Sequence, residues 1–254
     1  MNARWPARLW IVRHGESAGN VARDRADAAG LGRIDIAHRD MDVPLSDLGE
    51  AQSRALGRWF AAMAPGDRPE VVLCSPYIRA RHTAELIAAE GGVEPGTPPH
   101  CIDERLRERE FGILDRLTRV GIETEHPDQA EFRRLLGKFY HRPPGGESWA
   151  DVILRLRSAL DTLSLHHAGQ NVLIVGHQVV VLCLRYLLEN LDEAAILAID
   201  SHVDVANCGV TEYVFDPAKG ARGGMALVRY NFVAPLQDAG APVTTAPDAN
   251  VAAR

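Results

Sequence analysis

The chain has 254 residues, room for one large α/β domain or two small ones. Its 46% hydrophobic and 24% charged residues are those of a globular protein with a substantial core, and a net charge of −6 excludes the global basic field of a nucleic-acid-binding protein. No stretch is apolar and long enough for a signal peptide or membrane span, and the cysteines (Cys74, Cys101, Cys183 and Cys208) form no CxxC pair, which reads as reduced thiols in a cytoplasmic protein.

Leu9-Trp10-Ile11-Val12 reads as a buried strand that stops at Arg13-His14-Gly15-Glu16-Ser17. Residues 17–20 begin a turn or helix, and 21–40 read as a long surface excursion, partly helical, either a functional lid or a surface insertion. Ser46 or Asp47 caps a helix whose apolar face holds Leu48, Ala51, Ala55, Leu56, Trp59 and Phe60, ended by Pro65-Gly66-Asp67. Val71-Val72-Leu73-Cys74 is a second buried strand. Ser75 as cap and Pro76 at the first helical position predict a helix carrying Arg79 and Arg81 and stopped by Gly91-Gly92.

Residues 101–118 are dense in charge, by default a solvated face, and 127–142 predict a helix with Arg133, Arg134, Lys138 and Arg142, either surface charge or a greeting for an acidic substrate. After the Pro143-Pro144-Gly145-Gly146 break, Ser148 and Asp151 form a capping box for a helix to about Leu165. Asn171-Val172-Leu173-Ile174-Val175 is the third buried strand; it ends at Gly176-His177, and 179–188 continue as an apolar helix. Residues 209–216 and 225–233 read as closing strands, antiparallel to each other, and 236–254, without periodicity, as a disordered tail. One domain over 1–235 is expected.

Three strands leading into helices imply a three-layer α/β/α fold with a mostly parallel central sheet, so that the strand tips share one edge. That edge would gather His14, His177, Arg13, Arg79 and helix N-termini, an anion site by construction. Three chemistries compete for it. A metal site lacks HExxH, His-x-His or a Cys/His cluster. A cysteine phosphatase loop from Cys101 to Arg107 has the Cys-x5-Arg spacing, but two acids and no glycine between them would repel phosphate. The third is an unprotonated histidine attacking phosphorus, with the arginines and second histidine on the equatorial oxygens, a pKa lowered by the nearby cations, and a separate acid for the leaving oxygen.

The chain resembles the histidine phosphatase superfamily, the phosphoglycerate-mutase-like group, over roughly residues 8–216. The pieces are Arg13-His14-Gly15-Glu16-Ser17 with Asn20, Pro44-Leu45-Ser46 with Gly49, Ser75-Pro76 with Arg79-Ala80 and Thr83-Ala84, Leu106-Arg107-Glu108 with Gly112, Gly145-Gly146-Glu147-Ser148, and Val175-Gly176-His177. The resemblance implies a phosphohistidine on His14, Glu108 as general acid and then base, and a phosphate pocket of Arg13, Asn20, Arg79 and His177; no metal and no cofactor is expected. Spacing alone leaves Glu104 and Glu110 equal to Glu108; the pattern Leu-Arg-Glu-x-x-x-Gly selects Glu108. The chain departs from the family in a longer 20–44 segment, in Ile113-Leu114-Asp115 where Trp-Glu-Gly is common, and in Gln178 where a small residue is common.

The expected function is a phosphatase acting on a small phosphomonoester. A cofactor-dependent phosphoglycerate mutase and a non-catalytic phosphate-ligand binding protein are the alternatives. Neither nucleic acid nor membrane is expected as a partner, and the sequence bears no mark of an oligomeric state.

Overall fold

The computed structural model describes residues 4–93, 101–220 and 222–245. Its elements are β1 (Arg8–Arg13), α1 (Ala18–Ala28), α2 (Asp47–Ala61), β2 (Val71–Cys74), α3 (Ile78–Gly91), β3 (Cys101–Ile102), α4 (Arg119–Glu125), α5 (Pro127–Tyr140), α6 (Trp149–His166), β4 (Asn171–Gly176), α7 (Gln178–Glu189), α8 (Glu193–His202), β5 (Val210–Asp216), β6 (Gly224–Phe232) and α9 (Ala234–Asp238). The sheet has six strands in the order β3-β2-β4-β1-β5-β6. Its first four members run parallel, and β5 and β6 complete it antiparallel.

The three apolar runs are continuous because helices cover both faces. Leu9, Ile11, Val71, Leu73, Val172 and Ile174 pack with Val152, Leu156, Val180 and Leu184 from α6 and α7. The alternate residues Trp10, Val12, Val72, Cys74, Leu173 and Val175 pack with Leu56, Phe60, Ala84, Ile87 and Leu236 from α2, α3 and α9. The expected three-layer α/β/α architecture is therefore present, with β2, β4 and β1 adjacent and their C-terminal tips side by side. No helix among the described residues is long and apolar enough to cross a membrane.

Several local signals act as written. Ser46 accepts from Gly49 N at 3.1 Å, Ser148 and Asp151 close a capping box, and Gly92 ends α3 with φ 63°. Others do not. Ser75-Pro76 does not start α3; the helix begins at Ile78, and Ser75 Oγ instead pairs with a histidine across the sheet edge. Residues 101–118 are not a solvated face, since Leu106, Glu108, Arg109, Phe111, Leu114 and Leu117 are buried there. The 127–142 helix is broken at Gly137 (φ 77°). Arg134, paired with Glu131, and Arg142 are exposed as the surface-charge reading expected, whereas Arg133 is buried and Lys138 pairs with Asp200.

The tail expectation is corrected over 236–245. Residues of α9 follow β6 directly, and Leu236 is fully buried against the α2 face of the sheet. A single leucine in a stretch of Ala, Pro and Thr gives no periodic pattern, yet it suffices as an anchor. Residues 246–254 lie outside those described.

Candidate active site

The tip of β1 delivers Arg13 and His14 into the sheet edge, both with only 4% of their surface exposed. Gly15 lets the backbone turn here against α2: a Cβ on it would lie 2.4 Å from the Gly49 carbonyl oxygen. Gly15 N–H donates to Thr83 Oγ1 at 3.0 Å, which ties the turn to α3. The His14 ring has two neighbours that decide its tautomer. Its Nδ1 lies 2.6 Å from Gly15 O, an acceptor, and its Nε2 lies 3.2 Å from Arg79 Nε, which only donates. The proton therefore sits on Nδ1, and Nε2 presents its lone pair. Burial first, then the Arg79 and Arg13 charges, hold the imidazole pKa well below its ordinary value, with the Gly15 hydrogen bond opposing them. The sequence argument invoked the cations; burial is the larger cause.

Arg79 enters from the first turn of α3, its guanidinium carbon 4.9 Å from the centre of the Tyr77 ring. Arg81, two residues on, is exposed. Arg13 Nη1 donates to Gln178 Oε1 at 3.0 Å and to Val205 O at 2.6 Å, so the unusual glutamine after His177 is a partner of this arginine. His177 caps α7 at the tip of β4, with no exposed surface. Its Nε2 lies 2.8 Å from Ser75 Oγ, its ring centre is 5.1 Å from that of His14, and its Nδ1 has no hydrogen-bond partner among the described residues. Burial, followed by Arg79 and His14, lowers its pKa as well.

Asn20 lies in the first turn of α1. Its Oδ1 accepts from Ser17 N and Ser17 Oγ, both at 3.0 Å, which leaves its NH2 group as the free face of the amide. Glu108 is 95% buried and lines the same cleft, whereas Glu104 and Glu110 are exposed. Its backbone is gripped from behind: Arg155 Nη2 donates to Glu108 O at 3.2 Å, and Arg155 is itself held by Glu147 at 2.9 Å. Glu147 also accepts from Glu110 N at 3.1 Å and Arg107 Nη2 at 2.8 Å, which gives the Gly-Gly-Glu-Ser piece a structural task behind the acid.

The cleft over His14 is lined by Arg13, His14, Asn20, Arg79 and Glu108 at its base. Ile34, Ile36, His38, Asp40, Phe111 and Arg116 form its outer wall. The 21–40 segment is thus a wall of the cleft, α1 followed by an irregular stretch. That stretch is stitched to the residues behind the acid: Ile34 N donates to Arg116 O at 2.9 Å, Thr118 N to Gly32 O at 3.0 Å, and Thr118 Oγ1 to Leu31 O at 2.6 Å. The departure in 20–44 is therefore tied to residues 116–118, which directly follow the other departure at 113–115. Among the described residues no group of three or more His, Cys, Asp or Glu is placed to hold a metal.

Five of the six candidate residues, Arg13, His14, Asn20, Arg79 and Glu108, line this cleft; His177 is not among its lining residues and stands fully buried beside the His14 ring. Sequence reasoning missed Asp40, Ser75 as a histidine partner, Gln52 and Asn207. Only Thr83, one helical turn past Arg79, carried a positional signal.

The model of the histidine phosphatase superfamily (branch 1) matches residues 9–228. Among curated proteins, the chain is 30% identical to a Caenorhabditis elegans 6-phosphofructo-2-kinase/fructose-2,6-bisphosphatase, over 85% of this chain and 43% of that protein, so it spans less than half of that relative. It is 31% identical to a probable phosphoglycerate mutase GpmB of Photorhabdus laumondii, over 69% of this chain and 72% of that one. Among solved structures, a mycobacterial glucosyl-3-phosphoglycerate phosphatase with inorganic phosphate superposes with TM-score 0.67 at 22% identity, covering 90% of this chain and 99% of that one. A putative alpha-ribazole-5'-P phosphatase from Escherichia coli gives 0.68 at 21%, covering 90% and 98%. With the family model spanning most of its length, the chain belongs to the histidine phosphatase superfamily, branch 1.

Proposed function

We propose that the protein hydrolyses a small phosphomonoester through a phosphohistidine on His14. The observation that carries this reading is the His14 tautomer: an unprotonated Nε2, accepting from Arg79 Nε, at the floor of an open cleft, with the ring proton on Nδ1 donated to Gly15 O. In the first step Nε2 attacks phosphorus in line and the bond from phosphorus to the alcohol oxygen breaks. Glu108 in its acid form gives that oxygen a proton, and the alcohol leaves. In the second, Glu108 as carboxylate takes a proton from water, whose oxygen attacks phosphorus. The P–N bond breaks, and inorganic phosphate and free His14 result.

Arg13, Arg79, the Asn20 NH2 group and His177 would hold the phosphoryl oxygens. Nε2 of His177 is held by Ser75, and its buried Nδ1 has no partner among the described residues. The arginines match the charge of the equatorial oxygens in both steps. The same first step serves a mutase if a substrate hydroxyl instead of water takes the phosphoryl group, and the relationship to a probable phosphoglycerate mutase favours testing it.

A hydrolysis panel of phosphomonoesters, 3-phosphoglycerate included, with acid-quenched or denatured protein examined for phosphohistidine, tests the reading. Phosphate release by the wild type, a labelled His14 peptide and loss of both in folded His14→Ala are expected. Turnover retained in that variant overturns the covalent route; efficient isomerisation of phosphoglycerate with little phosphate release selects the mutase.

A further inference from the structure

The side of the nucleophile turn away from the cleft is closed by a chain of hydrogen bonds that begins in the C-terminal segment. Thr244 O accepts from Asn207 N at 2.9 Å, and Gln52 Nε2 donates to Pro242 O at 2.9 Å and to Thr244 Oγ1 at 3.0 Å. The Thr244 hydroxyl, already accepting from Gln52, gives its hydrogen to Asn207 Oδ1 at 3.0 Å. That fixes the Asn207 amide: its Nδ2 donates to His14 O at 3.0 Å and reaches Asn20 Oδ1 at 3.5 Å. Gln52 meanwhile accepts from Glu16 N at 2.9 Å. Both Gln52 and Asn207 are fully buried, so neither amide has water to turn toward. The strap itself is held by Leu236, whose side chain is anchored in the core.

We infer that Thr244 and Asn207 are positioning residues of this site: Thr244 sets the amide of Asn207, which in turn fixes the main chain of His14 and the side chain of Asn20. Asn20 can offer its NH2 group to a phosphoryl oxygen only while its Oδ1 is occupied by donors, and Asn207 is one of them. A flipped Asn20 would point an acceptor at an anion. The C-terminal segment is then part of the working site. This inference rests on the phosphate-handling reading given above.

The test compares wild type, Thr244→Val, Thr244→Ser, Asn207→Asp, Asn20→Ala and the Thr244→Val/Asn20→Ala pair. It uses the full chain, a phosphoester the wild type turns over, and inorganic phosphate binding by calorimetry, with the folded fraction monitored by circular dichroism. Thr244→Val should weaken phosphate binding and lower kcat/KM by about tenfold, the scale of one hydrogen bond to a charged group, and Thr244→Ser should restore both. In the Asn20→Ala background the same valine should cost about threefold, because the Asn20 arm is gone and only the arm to the His14 main chain remains. Asn207→Asp, which loses the donor and sets a carboxylate against two acceptors, should lose more than Thr244→Val. Full additivity of the two changes, or valine and serine variants equal to wild type at equal folded fraction, overturns the inference. A wild type that binds phosphate and turns over no ester overturns the hydrolase reading instead, and the phosphate affinities then decide this one.

Discussion

The carboxylate of Asp40 lies 3.0 Å from Arg79 Nη2, and its own backbone carbonyl takes Arg79 Nη1. An anion of the chain thus occupies the guanidinium fork that the proposed reaction needs for a phosphoryl group. A substrate has to share or displace it. Asp40 is half-exposed, so the contact is screened and its contribution modest. Asp40→Ala is expected to tighten inhibition by inorganic phosphate roughly threefold. Competitive inhibition constants at constant ionic strength check this; weaker inhibition in the variant would mean that Asp40 orients Arg79 instead of occupying it.

Glu108 is buried beside the nucleophile and braced through Arg155 and Glu147. If it protonates the departing oxygen, its worth depends on how badly that oxygen needs a proton. Glu108→Gln should slow alkyl phosphates by about a hundredfold or more and nitrophenyl phosphate far less. Parallel rate measurements on the two ester types decide the matter, and equal losses would remove Glu108 from the role.

Gly112 adopts φ 56°, and a Cβ there would lie 2.1 Å from Pro144 O. Ile113 N donates to that same carbonyl at 3.0 Å, so the two loops cannot simply part. Gly112→Ala should cost about 1–3 kcal/mol of stability from backbone strain, with further loss from the clash, and should depress turnover by shifting the segment that carries Glu108. Thermal melts and kcat on one preparation test this; a variant with wild-type Tm and kcat would show that the loop has room.

Three buried imidazoles link stability to pH. Burial and the neighbouring arginines keep His14 and His177 well below the ordinary imidazole value, and burial with Arg133 and Arg109 brings His141 down to about 4. An unfolded histidine titrates near 6.5. Below that pH the unfolded chain takes up protons that the native chain refuses, so these groups favour unfolding progressively as pH falls, and contribute no pH slope above it. Tm should therefore be level above pH 7 and decline between about pH 6.5 and 4. His141→Gln should flatten part of that decline, measured in buffers of matched ionic strength. An unchanged slope would mean that native His141 takes up its proton over the same pH range as in the unfolded chain.

Much of the fold was legible because the runs at 9–12, 71–74 and 171–175 are covered on both faces and so lack polar interruptions. His14, Arg79 and His177 were legible because each follows one of those runs. The burial of Glu108 alone among Glu104, Glu108 and Glu110 was not, since the three differ only in which way an irregular, partly buried segment turns them, and local pattern does not encode that. Ser75 misled for a related reason. Its cap-like setting before proline suited a helix start, but the strand tip was closer to His177 than to the helix. Asn207 and Thr244 gave no warning, because their partners lie far off in sequence and are joined only by the fold.

The seam between residues 31–36 and 116–118 has a bearing on how such a protein can change its diet. The outer wall of the cleft hangs from the stretch that follows Glu108, the proposed acid, through Arg116, Thr118 and the close approach of Gly32 to Gly121. Transplanting the 21–40 region alone into a relative would strand its anchors and tug on the proton donor. A graft that keeps the seam intact would have to carry both of its edges together.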